Sequence, residues 1–404
     1  MKVPITILGA TSPATQKALQ RPGFESGNGR GTEALGLLLR SQKIDLAEYP
    51  RLAAIARAGI GVDNIDLGAA TERGIPVFFA PGGSTRSVAE LTLLAIGAFQ
   101  RRIHEAITKF GELGKKADGL NRFYLVDSWT EEVRKNLGGA ELGGQRLGVV
   151  GLGRIGVAVA NLGVALGMDV IGYEPALTAE NAHTLSSRVS RVATLDEVGH
   201  ASIVTVHVGL TDATRGLIGD EFLSRWHNHY RGLLANFARA GVCDEEAVKG
   251  YLDRCWLRGY VTDFPQPWHL GRSDVLALPH LGASTEEAQS RCGEMAAQAL
   301  VDFFETGAVR NSVNFPTVEP GPVPDGCLRL AFANRNHPGM LAKVLDEVAA
   351  RSLNVTGNAH RSLADVGYGV IDIERSDGFN EEAANALAGV LREIPNVLMA
   401  RRVG

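Results

Sequence analysis

The chain has 404 residues, 45% of them apolar, with a formal net charge of −4 and four cysteines. It is too long for one ordinary domain and apolar enough for substantial cores. A near-neutral balance with no long charged run excludes bulk nucleic-acid or membrane electrostatics, and Cys243, Cys255, Cys292 and Cys327 form no C-x-x-C pair, which points to reduced thiols in a cytoplasmic protein and to no metal site.

The N-terminal stretch MKVPITILGATSPATQ reads as a strand entering a loop; its apolar run is shorter than the core of a signal peptide. Ile5–Leu8, Ala53–Ala58 and Val77–Phe79 have the pattern of strands, with helices predicted around Thr32–Leu39 and Leu67–Arg73. That alternation means α/β with a parallel sheet. Glycine-rich RAGIGVDNIDL and APGGSTRS are expected at strand ends, where open parallel sheets bind small molecules.

Val88–Gln100 is a long apolar helix followed by Arg101 and Arg102, expected to cross between domains. Its apolar part, Leu91–Phe99, is half the length of a membrane span. Lys109–Asn136 is polar and charged and reads as loop and short helix. Further strands are predicted at Leu147–Val150, Asp169–Tyr173, Ile203–His207, Leu233–Asn236, Tyr260–Thr262 and Leu276–Leu278. His227 and His229 flank Asn228, but no third ligand is evident and a polar turn is the expected reading.

Glu286–Gly307 is predicted as a long amphipathic helix. FPTVEPGPVPDG follows, with the proline density of an extended linker. LRLAFA, GMLAKVLDEVAARS, NVTGNAHRS, GYGVIDIE, NEEAANALAGVLREI and VLMARRV then read β-α-β-β-α-β, a ferredoxin-like unit. With no obvious catalytic pair, it is expected to be regulatory.

The most informative stretch is RLGVVGLGRIG, from Arg146 to Gly156. Gly151, Gly153 and Gly156 stand at the G-x-G-x-x-G spacing between an apolar strand and an Ala/Val-rich helix over Val157–Leu166. Gly151 permits the tight turn, Gly153 lets backbone approach a pyrophosphate, and Gly156 lets helix pack on strand. The helix start offers N–H groups to phosphate. Glu174, 18 residues past Gly156 at the next strand end, can accept from ribose hydroxyls and would repel a 2′-phosphate. The pattern predicts a dinucleotide site preferring NAD.

Hydride transfer from an alcohol carbon needs a base for the hydroxyl proton and a cation for the substrate carboxylate. Arg239, in LLANFARA, and His280, in VLALPHLGAS, each lie just past an apolar run at a strand end. Arginine grips a carboxylate with two parallel bonds and histidine titrates near neutrality. From position alone, a loop-capping histidine and a surface ion pair are the commoner uses of such residues.

RSQKIDL, IARAGIGVDNIDLGAATERGIPVFFAPGGSTRSVAELTL, LGVVGLGRIG, TRGLI, NFARAGVCDEEAV and PHLGASTEEAQSRCGE resemble the D-isomer-specific 2-hydroxyacid dehydrogenases, and within that family its 3-phosphoglycerate-oxidising branch. NRNHPGMLAKVLDEVAARSLNV resembles the ACT domain that such enzymes often carry. The resemblance implies an α/β architecture of two Rossmann-like doubly wound domains plus a C-terminal ferredoxin-like ACT domain. The substrate domain would be split, residues 1–100 with 285–315, around an inserted NAD domain at 101–284. A linker would cover 316–326 and the ACT unit 327–404.

It also implies roles. Arg239 orients substrate and His280 is the acid/base. Asp263 contacts the nicotinamide carboxamide, and Arg154 and Ile155 lie at the pyrophosphate. Val208, Phe237, Ala238, Gly282 and Ala283 complete the cofactor lining. Arg40, Ser41 and Arg57 bind substrate anions; without the resemblance, solvated surface charge is the readier reading of the two arginines. Asn336 and Asn354 match positions that bind serine in feedback-inhibited relatives, and Asn334, the third effector candidate, stands where those relatives have histidine. A homodimer through the cofactor domains, or a tetramer through the terminal ones, is implied as well. Expected partners are 3-phosphoglycerate and an amino-acid effector, with no nucleic acid or membrane.

Four positions depart from the family pattern. The run DFPQP puts Gln266 nearest the slot of the usual glutamate beside the histidine, where an amide hydrogen-bonds without adding charge. Ala240 replaces a glycine after the arginine, Gly209 stands where proline is common, and Glu174 replaces aspartate. Reduction of glyoxylate or hydroxypyruvate, or a non-catalytic NAD sensor, are the alternative functions.

Overall fold

The computed structural model describes residues 2–29, 31–116, 122–226 and 232–404. The chain divides into two units, Met1–Ser84 with Thr285–Gly404, and Thr85–Ser284. The first boundary therefore falls before the helix at Thr85–Gln100, not after it as the sequence suggested.

The first unit opens with β1 (Val3–Leu8), α1 (Pro13–Leu19), β2 (Phe24–Asn28), β3 (Gly36–Leu39), β4 (Ala54–Arg57), α2 (Leu67–Glu72) and β5 (Val77–Phe78). All five strands are parallel, in the order β2-β1-β3-β4-β5. The helix predicted over Thr32–Leu39 is incorrect. Gly36–Leu39 is a strand between β1 and β4, buried along its length. A strand covered on both faces has no polar alternation, so its run of leucines reads equally as helix.

The second unit contains α3 (Thr85–Gln100), α4 (Ile103–Lys116), α5 (Arg122–Asn136), β6 (Arg146–Val150), α6 (Arg154–Ala165), β7 (Asp169–Tyr173), α7 (Ala179–Thr184), β8 (Ser190–Val192), α8 (Leu195–Val198), β9 (Ile203–Val206), α9 (Asp220–Arg225), β10 (Gly232–Asn236), α10 (Glu245–Asp253), β11 (Leu257–Thr262) and β12 (Val275–Ala277). Its sheet is parallel, in the order β12-β11-β10-β9-β6-β7-β8. The order reverses between β6 and β9, which marks the ligand crevice of a doubly wound sheet. α3 and α6 cover one face through Val88, Ile96, Val157 and Ala160.

Lys109–Asn136, expected as loop and short helix, holds the second half of α4 and all of α5, so its helices are longer than the sequence suggested. Ile103, Ile107 and Phe110 recur at helical spacing on α4 and are exposed.

The chain re-enters the first unit at α11 (Glu286–Thr306), capped by Thr285 and ended by left-handed Gly307. The stretch 316–326 has no regular element, apart from a bridge of Val318 to Val309. Then come β13 (Cys327–Arg335), α12 (Met340–Ala349), β14 (Val355–Leu363), β15 (Val366–Glu374), α13 (Glu381–Glu393) and β16 (Val397–Val403). They form an antiparallel sheet in the order β14-β15-β13-β16, the ferredoxin-like topology.

This sheet does not stand apart from the rest of its unit. Ala331, Tyr368 and Val370 share one core with Ile5, Leu38, Leu300 and Phe304. Tyr368 donates to the Gly307 carbonyl, and buried Arg329 bonds Asp372 along with the carbonyls of Thr306, Gly321 and Pro322. Among the described residues no helix is long and apolar enough to cross a membrane.

Candidate active site

The glycine turn follows β6 at the point where strand order reverses. Gly151 has φ +92, left-handed backbone that favours glycine. A Cβ there would lie 2.7 Å from Val208 Cγ1, so Gly151 and Val208 sit against each other across the crevice. Its N–H donates to Tyr173 O at 2.9 Å. At Gly156 a Cβ would lie 1.8 Å from Gly151 O, so α6 seats directly on the turn. A Cβ on Gly153 would meet nothing within 4 Å, and no side chain caps the helix it starts. Open space over unpartnered helix N–H groups suits a pyrophosphate.

Neighbouring residues are placed as follows. Ile155 packs on the core. Arg154 is half exposed and pairs with Glu180 at 3.1 Å, so its charge is already partnered. Glu174 is half-buried just past β7 and accepts from Ala176 N–H at 3.1 Å. His207, just past β9, shares a hydrogen bond between Nε2 and Thr205 Oγ1. Its Nδ1 is buried with no partner among the described residues, and burial pushes the imidazole down to about 3. It is therefore neutral at neutral pH.

β10, β11 and β12 lie side by side, and their carboxyl ends carry the remaining candidates. Phe237 and Ala238 are buried beyond β10. Fully buried Asn236 shapes the turn after them: Oδ1 accepts from Ala238 N–H and Nδ2 donates to Arg239 O, both at 3.1 Å. Arg239 is half-buried and donates to Ala238 O at 2.8 Å.

Asp263 follows β11. Its N–H donates to Asn236 O at 3.1 Å, and its own carbonyl accepts from His280 N–H at 3.0 Å. Its carboxylate accepts from Leu281 N–H at 2.7 Å and Gly282 N–H at 2.8 Å. Burial raises its pKa; the two N–H bonds and nearby His280 work against that.

Thus Asp263 ties the turn carrying Arg239 to the loop carrying His280. Ser87 Oγ donates to Gly282 O at 2.6 Å, holding that loop to α3, and Ala283 follows it. Strands two apart stand roughly 10 Å from each other, a span that a substrate and two side chains can fill. His280 has φ +57, unusual for a non-glycine residue, and its exposed ring meets Phe264 edge-on at 5.0 Å.

In the first unit, Arg40 and Ser41 follow β3, and Arg57 ends β4. Arg57 Nε donates to Arg40 O at 2.8 Å. Gln42 Oε1 accepts from the N–H groups of Arg40 and Ser41, at 3.0 and 3.2 Å. These residues meet at the carboxyl edge of their own sheet.

The family model described as D-isomer specific 2-hydroxyacid dehydrogenase, NAD binding domain, matches residues 112–282. A D-3-phosphoglycerate dehydrogenase of Haemophilus influenzae is 32% identical over 377 residues, covering 90% of this chain and 83% of the relative. The chain belongs to the D-isomer specific 2-hydroxyacid dehydrogenase family.

Another similar D-3-phosphoglycerate dehydrogenase, from Archaeoglobus fulgidus, is 36% identical over 331 residues, 79% of this chain and 58% of the relative. The chain thus spans less than two thirds of that protein. Among solved structures, the NAD+-bound 3-phosphoglycerate dehydrogenase of Entamoeba histolytica is similar with a TM-score of 0.61 and 26% identity, covering 78% of this chain and 99% of that one.

Gln266 is half-buried before a 3-10 turn at Pro267–His269. Its N–H donates to His269 Nδ1 at 3.0 Å. Among the described residues no carboxylate is hydrogen-bonded to the His280 ring. The three effector candidates are not brought together within one chain. Asn334 pairs with Gly367 at one end of β15, and Asn336 bonds Ala364 O beside it. Asn354 bonds Glu374 at the other end, seven residues away and so roughly 23 Å along a strand. His227, Asn228 and His229 lie outside the described residues.

Sequence reading missed Asn236, Glu245, Tyr260 and His269, a buried polar group behind Arg239. Only Asn236 carried a signal, as a polar residue ending an apolar strand. The others become neighbours through strand pairing and loop closure.

Proposed function

We propose that the chain oxidises 3-phosphoglycerate at its 2-hydroxyl to 3-phosphohydroxypyruvate with NAD, the entry step of serine biosynthesis. The observation that carries this is the tie through Asp263, which holds the loops of Arg239 and His280 side by side on the edge that bears the glycine turn.

Bound NAD supplies the acceptor for the hydride that leaves C2. The chain does the rest. His280 takes the hydroxyl proton as the C–O bond gains double-bond character. Arg239 holds the carboxylate and the new carbonyl oxygen. Arg40, Ser41 and Arg57 hold substrate anions. Gly151, Gly153, Arg154, Ile155 and Gly156 form the pyrophosphate cradle. Glu174 accepts from ribose hydroxyls and disfavours a 2′-phosphate. Val208, Phe237, Ala238, Asp263, Gly282 and Ala283 line the nicotinamide end.

A homodimer through the second unit is part of this reading. Leu94, Leu166, Ile107 and Phe110 are exposed there, and Leu94 and Leu166 line a shallow apolar groove between α3 and α6. The C-terminal βαββαβ unit acts as an ACT-type regulatory element. An effector touching all three asparagines would have to bind between copies. Four free thiols accord with a cytoplasmic enzyme.

The test is NADH formation with NAD and a panel of 3-phosphoglycerate, D-glycerate and D-lactate. Turnover should be fastest with the phosphorylated acid. Equal turnover of D-glycerate would remove the phosphate from the reading, and no turnover with any of them would reject the dehydrogenase.

A further inference from the structure

Glu245 presents an acid whose placement its local role does not explain. It stands in the first turn of α10, where a carboxylate complements the helix dipole from the surface. Yet its side chain is only 20% exposed, and burial raises its pKa. Asp244 already caps the helix, accepting from Glu246 and Ala247 N–H groups. A second, largely desolvated carboxylate carries a cost that needs another use.

Its two oxygens face different elements. Oε1 accepts from the Tyr260 hydroxyl of β11 at 3.0 Å. Oε2 meets His269 Nε2 at 3.3 Å. His269 Nδ1 accepts from Gln266 N–H, so Nε2 must carry the ring proton and donate it to Glu245. Burial and nearby Arg272 lower the pKa of His269, which keeps the ring neutral.

Aromatic rings and ion pairs pack around this pair. Trp268 stacks parallel to Tyr260 at 6.4 Å and packs against His269 at 4.2 Å. Arg272 lies over Trp268 at 5.6 Å and is held by Asp253 and Asp274. Tyr260 is also within 3.5 Å of Asn236 Nδ2, the group that holds Arg239 O.

We infer that Glu245 is a positioning residue that pins the Arg239 segment to the loop after β11, and so sets the spacing between Arg239 and His280. The segment 236–245 is fixed at its start by Asn236 and at its end by Glu245. The loop after β11 in turn holds His280 through Asp263. Remove the pin, and Arg239 can drift relative to the imidazole while the glycine turn stays intact. Displacements of about 1 Å at such a site cost on the order of 100-fold in rate.

The inference rests on the proposed dehydrogenase reading. Its test uses the full chain with Glu245→Ala and Glu245→Gln, 3-phosphoglycerate as substrate, and NADH binding followed by nicotinamide fluorescence. Glu245→Ala should lower kcat/KM for the acid by about 30- to 100-fold, with kcat falling and the acid's KM rising. NADH affinity should stay within about twofold. Glu245→Gln keeps one acceptor and should lose less, roughly tenfold. Adding Tyr260→Phe to Glu245→Ala should cost little more, because both break one link.

Parallel loss of NADH binding and of turnover would make Glu245 a fold-stability residue and overturn the inference. So would kcat/KM within twofold of wild type in both variants. In either case an active wild type leaves the dehydrogenase reading standing, whereas a wild type with no turnover rejects both.

Discussion

Replacing Gly156 with alanine tests the cofactor cradle where the structure is least forgiving. The added Cβ would lie 1.8 Å from Gly151 O and 2.9 Å from Gly151 C, both backbone atoms of the tight turn. Real Cβ contacts are not found under 3.0 Å, so the separation must grow by about 1.2 Å. Either α6 retreats from β6, loosening the core that its fully buried Val159 and Ala160 share with Val149 of β6, or the turn opens.

Such overpacking costs about 1–3 kcal/mol. The gain in helix propensity offsets at most about 1 kcal/mol. The net loss lowers Tm by a few degrees, at roughly 2–4 °C per kcal/mol for a unit of this size. Binding should suffer more, because the first-turn N–H groups of α6 move with the helix. Losing one or two charge-assisted hydrogen bonds weakens NADH by about 10- to 1000-fold.

Gly153→Ala is the control. Its Cβ enters open space, so Tm should hold while NADH binding weakens through encroachment on the pyrophosphate. The assays are thermal unfolding and a fluorescence titration with NADH. Wild-type Tm and affinity in Gly156→Ala would refute the seating of α6 on the turn.

Two further outcomes follow from the geometry. Gln266→Glu should place a carboxylate beside His280 that favours the protonated imidazole; oxidation needs the neutral ring, so the acid limb of kcat should move to higher pH, and an unmoved profile would show that position 266 does not face His280. Asp372→Ala leaves Arg329 buried without its anion, although three carbonyls still accept from it. Removing one partner of such a pair costs about 3–5 kcal/mol, so Tm should fall by several degrees, and an unchanged Tm would mean the carbonyls suffice.

Much of this architecture was readable because it is local. The glycine spacing, the strand before it and the helix after it fall within 30 residues. The β-α-β-β-α-β order after the proline-rich stretch is a matter of succession alone. Burial on both faces hid β3, whose Gly36–Leu39 run carries no period. The polar composition of α4 and α5 hid the length of both helices, and on α4 the apolar Ile103, Ile107 and Phe110 face outward.

The site was legible only in its end groups. Arg239 and His280 stand next to recognisable strand ends. What joins them does not show in the chain order. Asp263 reaches Leu281 and Gly282 across 18 and 19 residues, and Glu245 reaches His269 across 24. These are long-range contacts made by sheet pairing. The resemblance likewise grouped Asn334, Asn336 and Asn354 by role, whereas one chain sets them at opposite ends of β15.

The most direct measurement is the rate of NADH formation from 3-phosphoglycerate at saturating NAD, for wild type and His280→Ala side by side, with NADH affinity measured on both. Wild type should turn over, and the variant should be slower by about 100- to 10,000-fold with NADH affinity unchanged. Comparable turnover in the two proteins would contradict the imidazole's part in the reaction, and with it the account of the site.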